Sequence, residues 1–266
     1  MNFQDTRPMV CESSWPVLIC LLGNFRILKG GRPLELRKPG KAESLLSSLA
    51  LGPGYAVSRE ALLEALWPNT NSALASQSLS SLIYTLHKLL GDQIGGAAPV
   101  VAGDGYYRLN VEAGIGLDIA WFNALVRAGE QHEHAGEHTA SLAAFNCALD
   151  RYHGDLCVNT DPQAIIEREH LRVLYLSLLA RLADNAYRYG DYATCLNYAM
   201  RLLNAEPCRE DAHRLVMKCH VRQGERAQAL RQYRLCEAIL RSEFDAEPEA
   251  ATTALFHQVR LDPGSI

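Results

Sequence analysis

Charge of one sign is in short supply in this chain. Lys and Arg number 26 against 30 Asp and Glu, a formal net charge of −4, so no overall field announces a nucleic-acid or membrane partner. Long apolar runs are missing as well. The only early one, residues 15–22 (WPVLICLL), follows Asp5, Arg7 and Glu12 and lacks a basic leader and a small-residue cleavage site. It is too short to span a bilayer, and it reads as a buried strand of a cytoplasmic protein with no membrane partner. The eight cysteines (Cys11, Cys20, Cys147, Cys157, Cys195, Cys208, Cys219, Cys236) contain no C-x-x-C pair. That spacing excludes both a disulfide framework and a zinc site, and leaves small buried hydrophobes in a reducing compartment. There is no P-loop, no nucleophile elbow and no defensible pair of carboxylates. His132, His134 and His138 approach a metal-ligating spacing, but Gly136 interrupts any helix that would align them. The expectation is a non-enzyme with no catalytic residues, no metal and no cofactor.

What is present is enough chain for two domains. With 266 residues and an ordinary globular composition, each half can bury its own core. Up to Asp118 there are ten basic and ten acidic residues, and from Ile119 sixteen and twenty. Nine of the ten early basic residues follow residue 25, and Arg32, Arg37, Lys38 and Lys41 cluster. Short apolar runs at 17–22 and 25–28, a Gly30-Gly31 turn and alternation at 34–36 suggest a small antiparallel sheet. Three helices should follow. The first covers about 41–51, with Gly52 and Pro53 as its stop; the second opens at Ser58 as N-cap and ends at Trp67-Pro68; the third is ended by Gly91. Runs at 100–101 and 106–109 around Gly103-Asp104-Gly105 then read as a hairpin. Sheet, three helices and hairpin is the order of a winged helix-turn-helix, in which the third helix enters the DNA major groove.

The third helix has two faces. Leu79, Leu82, Ile83, Leu86, Leu89 and Leu90 share one side at helical spacing, a core face. Gln77, Ser81, Tyr84 and Lys88 lie opposite, flanked by Ser80 and Thr85. A solvated helix face is usually filled with Glu and Lys, whereas this stripe consists of hydrogen-bonding side chains ending in one cation. Gln can bond adenine bidentately, and Ser, Thr and Lys can meet other base edges or phosphate. Gln77, Ser80, Ser81, Tyr84, Thr85 and Lys88 are therefore the candidate base-reading residues. Arg37, Lys38 and Lys41 near the first helix, and Arg108 in the hairpin, are the candidate backbone contacts.

From Asp118 the chain reads as helix throughout. A long helix is opened by Asp161 and Pro162, and Gly190-Asp191-Tyr192 with Cys195-Leu196 recurs as Gly224-Glu225-Arg226 with Ala229-Leu230 at a spacing of 34 residues. That is the tetratricopeptide period. Glycine at the turn and a small residue one turn into the next helix allow the close packing such helical hairpins need. Gly136-Glu137 opens a less regular copy, and a capping helix should follow near 250–259. Arrays of this kind bind proteins or peptides. Arg168, Arg172, Arg181, Arg188 and Arg201 are candidates to hold an anionic effector, or are solvated helix faces.

At this point the residues carry a resemblance. "ALLEALWPN" (61–69), "YHGDL" (152–156) and the pattern at Glu210, His213, Arg214, Met217, Gly224, Ala229, Leu230 and Tyr233 resemble the Streptomyces antibiotic regulatory protein family. Its members join an OmpR-type winged helix to a bacterial transcriptional activation domain of tetratricopeptide-like repeats. The implied fold is mainly α: a tail (1–16), a winged helix-turn-helix of α+β character (17–117) and an all-α repeat domain (118–262). The resemblance implies an activator that binds direct repeats near a promoter, self-associating on double-stranded DNA and recruiting RNA polymerase. The recognition helix would be 73–90, and Asn69, Thr70 and Asn71 would form the loop that touches polymerase. No receiver domain or ATPase module is implied. One departure stands out. The family's recognition helix ends in a pattern like R-L-R-R-x-L-G, and here it is Thr85-Leu86-His87-Lys88-Leu89-Leu90-Gly91. Fewer phosphate contacts imply weaker binding, raised by a second copy, a protein partner or a small-molecule effector. The other readings of that departure are a ligand-gated regulator and a repeat-based adaptor whose winged helix has lost DNA.

Overall fold

The computed structural model of the chain describes residues 15–35, 39–157 and 162–266. It divides into two compact units, Met1–Leu171 and Arg172–Ile266. In chain order the first unit contains β1 (Val17–Cys20), β2 (Arg26–Lys29), β3 (Arg32–Pro33), α1 (Pro39–Leu51), β4 (Ala56–Ser58), α2 (Arg59–Leu66), α3 (Ser72–Leu90), β5 (Val100–Gly103), β6 (Tyr106–Leu109), β7 (Ile115–Leu117), α4 (Asp118–His134), α5 (His138–Arg151) and the first turns of α6 (Pro162–Arg188). The second unit holds the rest of α6, then α7 (Tyr192–Ala205), α8 (Glu210–Arg222), α9 (Arg226–Phe244) and α10 (Ala250–Leu261).

A four-stranded sheet opens the first unit in the order β3-β2-β1-β7, with β1 antiparallel to β2 and parallel to β7. All four residues of β1 are buried, as its unbroken apolar run requires. The third strand differs from the expected alternation at 34–36. It lies at Arg32–Pro33, directly after the Gly30-Gly31 turn, because Lys29 and Arg32 pair across it; Leu36 lies outside the described residues. β7 has no alternating signature, and Gly116 stands at its centre. Its pairing with β1 is what makes it a strand, and Gly116 lies under the Trp15 ring, where a Cβ would approach to 2.5 Å.

The helices follow local chemistry. Ser58 accepts a hydrogen bond from the Ala61 N–H at 3.2 Å and caps α2, and the Asn71 side chain accepts from Ala73 N–H at 2.9 Å and caps α3. Along α3, Leu79, Leu86 and Leu90 are buried and Leu82, Ile83 and Leu89 half-buried, so the expected apolar face is the packed one. β5 and β6 form a hairpin whose Asp104 (φ 51) and Gly105 (φ 79) occupy the left-handed region, the conformation a two-residue type I′ turn requires. β4 adds to the other side of β6, giving a three-stranded wing in the order β4-β6-β5.

Asp118 links strand to helix. Its Oδ2 accepts the N–H groups of Leu21 and Leu22, each at 2.8 Å, and its Oδ1 that of Ile119 at 2.8 Å. Those donors lie just beyond β1 and at the start of α4, where neither sheet nor helix can satisfy them. Burial pushes the Asp118 carboxyl up to about 6, against the opposing pull of the three N–H donors. The YHGDL segment returns to the same region. Cys157 N–H donates to the Leu21 carbonyl at 2.9 Å and Gly23 N–H to that of Asp155 at 3.0 Å, while Tyr152 Oη donates to Asp155 Oδ1 at 2.7 Å. Gly23 and Gly154 pass so closely that a Cβ on Gly154 would stand 3.1 Å from the Gly23 Cα.

Among the helices one turn recurs. Gly136, Gly190 and Gly224 have φ of 76, 76 and 78°. Each is followed by an acidic residue whose N–H reaches back five residues: Glu137 to His132, Asp191 to Ala186 and Glu225 to His220. This is the glycine-closed helix end, and the last two copies stand at the 34-residue spacing of the sequence repeat. His132 and His220 also bond the following glutamates through Nδ1, at 2.6 and 2.8 Å.

In the second unit the residues of the family pattern hold helices to one another. Buried His213 bonds the Pro207 carbonyl through Nε2 at 2.8 Å and accepts from Gln232 at Nδ1, at 2.7 Å; burial lowers its pKa. Arg214 donates to Glu249 and to Thr252 of α10 at 3.0 and 2.8 Å, and the Glu210 carboxylate accepts the Glu249 N–H. Met217 sits in a core with Ala229, Tyr233, Leu255 and Val259. The small residue Cys195 packs with its sulfur 3.3 Å from that of Cys219, both fully buried. Asp161, expected to cap α6, lies outside the described residues.

Asp118→Asn places an amide N–H₂ against backbone donors and should cost about 1–3 kcal/mol. The sign of its pH dependence is fixed by the raised native value. The folded chain holds a proton that the unfolded chain, near 3.8, gives up. This group's contribution is therefore full below 3.8 and is lost as pH rises through about 6. Urea unfolding of both proteins should show the wild-type advantage widening from about pH 7 to about pH 5.

Candidate nucleic-acid interface

The polar stripe of α3 is on the surface. Gln77, Ser80, Ser81, Tyr84, Thr85 and Lys88 are all exposed, Tyr84 by 60%. Two of the hydroxyls are turned inward as donors: Ser80 Oγ to the Ser76 carbonyl at 3.1 Å and Thr85 Oγ1 to that of Ser81 at 2.8 Å. Such back-bonding leaves lone pairs facing outward, so Ser80 and Thr85 offer acceptors. Gln77 offers both donor and acceptor. Lys88 Nζ lies 4.9 Å from the centre of the Tyr84 ring, a cation–π contact that aligns the one cation of the stripe along the helix.

Beside the stripe, α3 and the wing enclose an open concavity of about 320 Å³ lined by Ser80, Ile83, Tyr84, His87, Ala98 and Tyr107. Tyr107 is the half-buried member of the wing's tyrosine pair, and Tyr106 is 53% exposed. Arg108 is exposed on β6, between Ala56 of β4 and Val101 of β5.

The other candidates fare differently. Lys41 is exposed, but its ammonium donates to the Leu66 carbonyl and lies 5.7 Å over the Trp67 ring. It closes the carboxyl end of α2, the favourable place for a cation. Arg37 and Lys38 lie outside the described residues. Asn69, Thr70 and Asn71 are exposed between α2 and α3, with the Asn71 side chain occupied as N-cap. Of the arginines considered for an anion, Arg168 donates to the Leu156 carbonyl at 3.0 Å, Arg172 to that of Ala205 at 3.0 Å and Arg201 to Tyr175 Oη at 3.3 Å.

Arg59 was not legible as part of this surface. Its guanidinium donates to Ser76 Oγ at 2.6 Å, and its backbone N–H donates to the Gly105 carbonyl of the wing turn at 2.9 Å. It joins the starts of α2 and α3 to the wing and brings a cation within one turn of Gln77 and Ser80. The one signal in the sequence was its position: an arginine in the first turn of α2 opposes the helix dipole, so it needs a reason outside that helix. At the far end of α3, Lys29 donates to the Leu89 carbonyl and pairs with Asp92, both at 2.9 Å, holding the Asp92 carboxyl below its ordinary value.

Among the described residues, no group of three His, Cys, Asp or Glu is placed to hold a metal ion. No described helix is long and apolar enough to cross a membrane.

A winged helix with a polar third helix is continued by tetratricopeptide-like helical hairpins. The model of the bacterial transcriptional activator domain matches residues 117–260, more than half of the chain, and the chain belongs to that family. Regulatory protein DnrI of Streptomyces peucetius is 29% identical over 237 residues, covering 86% of each chain. Transcriptional regulatory protein MoaR1 of Mycobacterium tuberculosis is 23% identical over 248 residues, 90% of this chain and 78% of that one. The first is a regulatory protein by name and the second a transcriptional regulatory protein, as the Streptomyces resemblance led one to expect. Among solved structures, Mycobacterium tuberculosis EmbR in complex with a low-affinity phosphopeptide superposes with a TM-score of 0.73 at 21% identity. That likeness covers 92% of this chain and 65% of EmbR, so this chain spans less than two thirds of that one.

The Tyr84–Lys88 contact has a direct signature. The Lys88 ε-methylene protons should be shifted upfield by the ring in the wild-type NMR spectrum and return to ordinary lysine positions in Tyr84→Ala. Unshifted protons in the wild type would remove this contact from the face.

Proposed function

We propose that the protein is a sequence-specific DNA-binding transcriptional activator in which α3 lies in the major groove. Gln77, Ser80, Ser81, Tyr84, Thr85 and Lys88 read base edges, while Arg108 and the wing follow the backbone. The observation that carries this reading is the stripe itself: six exposed side chains on one helix face, with no carboxylate among them. A carboxylate there would repel phosphate. Arg37, Lys38 and Arg59 supply phosphate contacts at the edges, Lys41 adding to them only if it leaves the end of α2. The loop with Asn69, Thr70 and Asn71 meets RNA polymerase. Two copies sit side by side on a direct repeat close to a promoter. Support beyond the site comes from relatives that are by name a regulatory protein and a transcriptional regulatory protein.

Selection of binding sites from a random duplex library by the full chain, followed by titration over salt concentration, tests the reading. A short direct repeat should be enriched, and log K should fall with log salt by about 0.9 per phosphate contacted. Gln77→Ala and Tyr84→Ala should each cost about 1–3 kcal/mol and relax preference at particular positions. Lys88→Ala should relax preference at one position if the ammonium meets a guanine edge, or weaken all sequences alike and reduce the salt slope by about 1 if it meets phosphate. Failure to enrich any site at low salt would overturn the proposal in favour of an adaptor acting through the repeats.

A further inference from the structure

A cavity of about 230 Å³ lies in the first unit between the carboxyl end of α1, the first turns of α4 and the first turns of α6, bounded by Leu51, Tyr55, Leu117, Ile119, Asn123 and Glu167. It shares no residue with the face of α3 and has no part in the DNA reading above. It is smaller than the pockets that take drug-sized ligands, so its occupant is small.

Its electrostatics have one sign. A helix leaves its last carbonyls without internal donors, and in α1 the Ser48 carbonyl accepts from Gly52 N–H while those of the following residues point out of the helix end. No basic residue lies in the last turn of α1 to offset them, so the negative end of its dipole is uncompensated. Glu167 is the charged residue of the lining, and no Lys or Arg lines the cavity. Its half-buried carboxylate has no ion pair or hydrogen bond among the described residues. Asn123, also half-buried, offers an amide oxygen.

Tyr55 adds a different kind of observation. It is held at φ 61, the left-handed region, which carries a steric cost for a bulky L-residue. The neighbouring Gly54 takes the same region at no such cost (φ 62). The turn is fixed from the other side as well, since a Cβ on Gly52 would stand 2.4 Å from the Ala56 carbonyl oxygen. Strain at a non-glycine residue marks a place where the side chain is wanted, and the side chain here is an aromatic wall of the cavity.

We infer that this cavity binds a small organic cation, a primary ammonium or guanidinium on a compact apolar body. Glu167 and the α1 carbonyls take the N–H donors, the Tyr55 ring faces the charge or the body, and Leu117 and Ile119 take the apolar part. An occupant touches α1 beneath the recognition helix's own platform and α4 and α6 of the family domain at once, which makes the site suited to an effector.

Three probes with one aromatic body and different charge test this on the full chain without DNA: phenethylammonium, 2-phenylethanol and 3-phenylpropanoate, titrated by calorimetry and by amide chemical shifts. Phenethylammonium should bind about tenfold more tightly than the alcohol, and the anion should not bind. Glu167→Gln should remove the preference for charge while leaving thermal unfolding unchanged. Tyr55→Gly should weaken binding without loss of stability, because glycine accepts the backbone conformation. Equal binding of all three probes, no binding of any at millimolar concentration, or an unaltered preference in Glu167→Gln would overturn the assignment. Because the readout contains no DNA, none of these results bears on the activator reading.

Discussion

Three backbone N–H groups converge on the Asp118 carboxylate, two from Leu21 and Leu22 and one from Ile119, and much of the first unit hangs on that convergence. β1 must stop at Cys20, and its chain runs on into apolar surroundings where water cannot reach its amides. A buried, unsatisfied donor costs about 1–3 kcal/mol, so a single carboxylate that takes all three is worth the desolvation that raises its pKa. Asp118 is also the first residue of α4 and follows β7, which runs parallel to β1. Strand end, parallel strand and helix start are thereby one hydrogen-bonded piece. The Leu22–Leu156 bridge and the two backbone bonds beside it fasten the end of α5 to the same piece. This is why the first compact unit runs on to Leu171 and does not stop at the wing.

The repeat half obeys a different constraint, and it is local. Each glycine after α4, α6 and α8 adopts a conformation that other residues resist, and the acidic residue that follows sends its N–H back over the turn. The motif is cheap to specify and easy to repeat. The family pattern around His213 then stitches α8 to α9 and α10 with hydrogen bonds. Residues that identify the family are therefore residues of its scaffold. They fix what kind of protein this is and leave open what the chain recognises, which has to be written in exposed positions.

That division explains what could be read in advance. α2 was legible because its cap, Ser58, and its apolar spacing act within a few residues, and α3 because its apolar spacing does; so was the wing, whose Asp-Gly turn is set by two residues. β4 and β7 were not. Three residues each, they are strands only because a distant partner offers a free edge, and nothing in their own sequence alternates. Side-chain partners across the fold were hidden for the same reason. Lys41 looked like a phosphate contact and instead closes α2 through the Leu66 carbonyl; Arg59, not singled out in the sequence, ties α3 to the wing. The start of α4 at Asp118 was visible, whereas two of the three donors it accepts lie 97 and 96 residues away. In the candidate interface the stripe of α3 was legible from helical spacing alone, and the concavity beside it was not, because Ala98 and Tyr107 of its wall come from outside the helix.

A recognition face with one cation divides affinity and specificity unusually. Counterion release supplies most of the binding free energy of a typical DNA-binding face and is blind to sequence. In the proposed reading α3 carries little of that term, so a larger share of its binding comes from Gln77, Ser81 and Tyr84 at base edges, where a mismatch costs about 1–3 kcal/mol. A single copy would then discriminate well and hold weakly. Two copies on adjacent half-sites convert the second encounter into a local one and recover affinity without adding charge to either face. A face so poor in cations is thus coherent with a regulator that occupies DNA as a pair, and would be a handicap for one that acts alone.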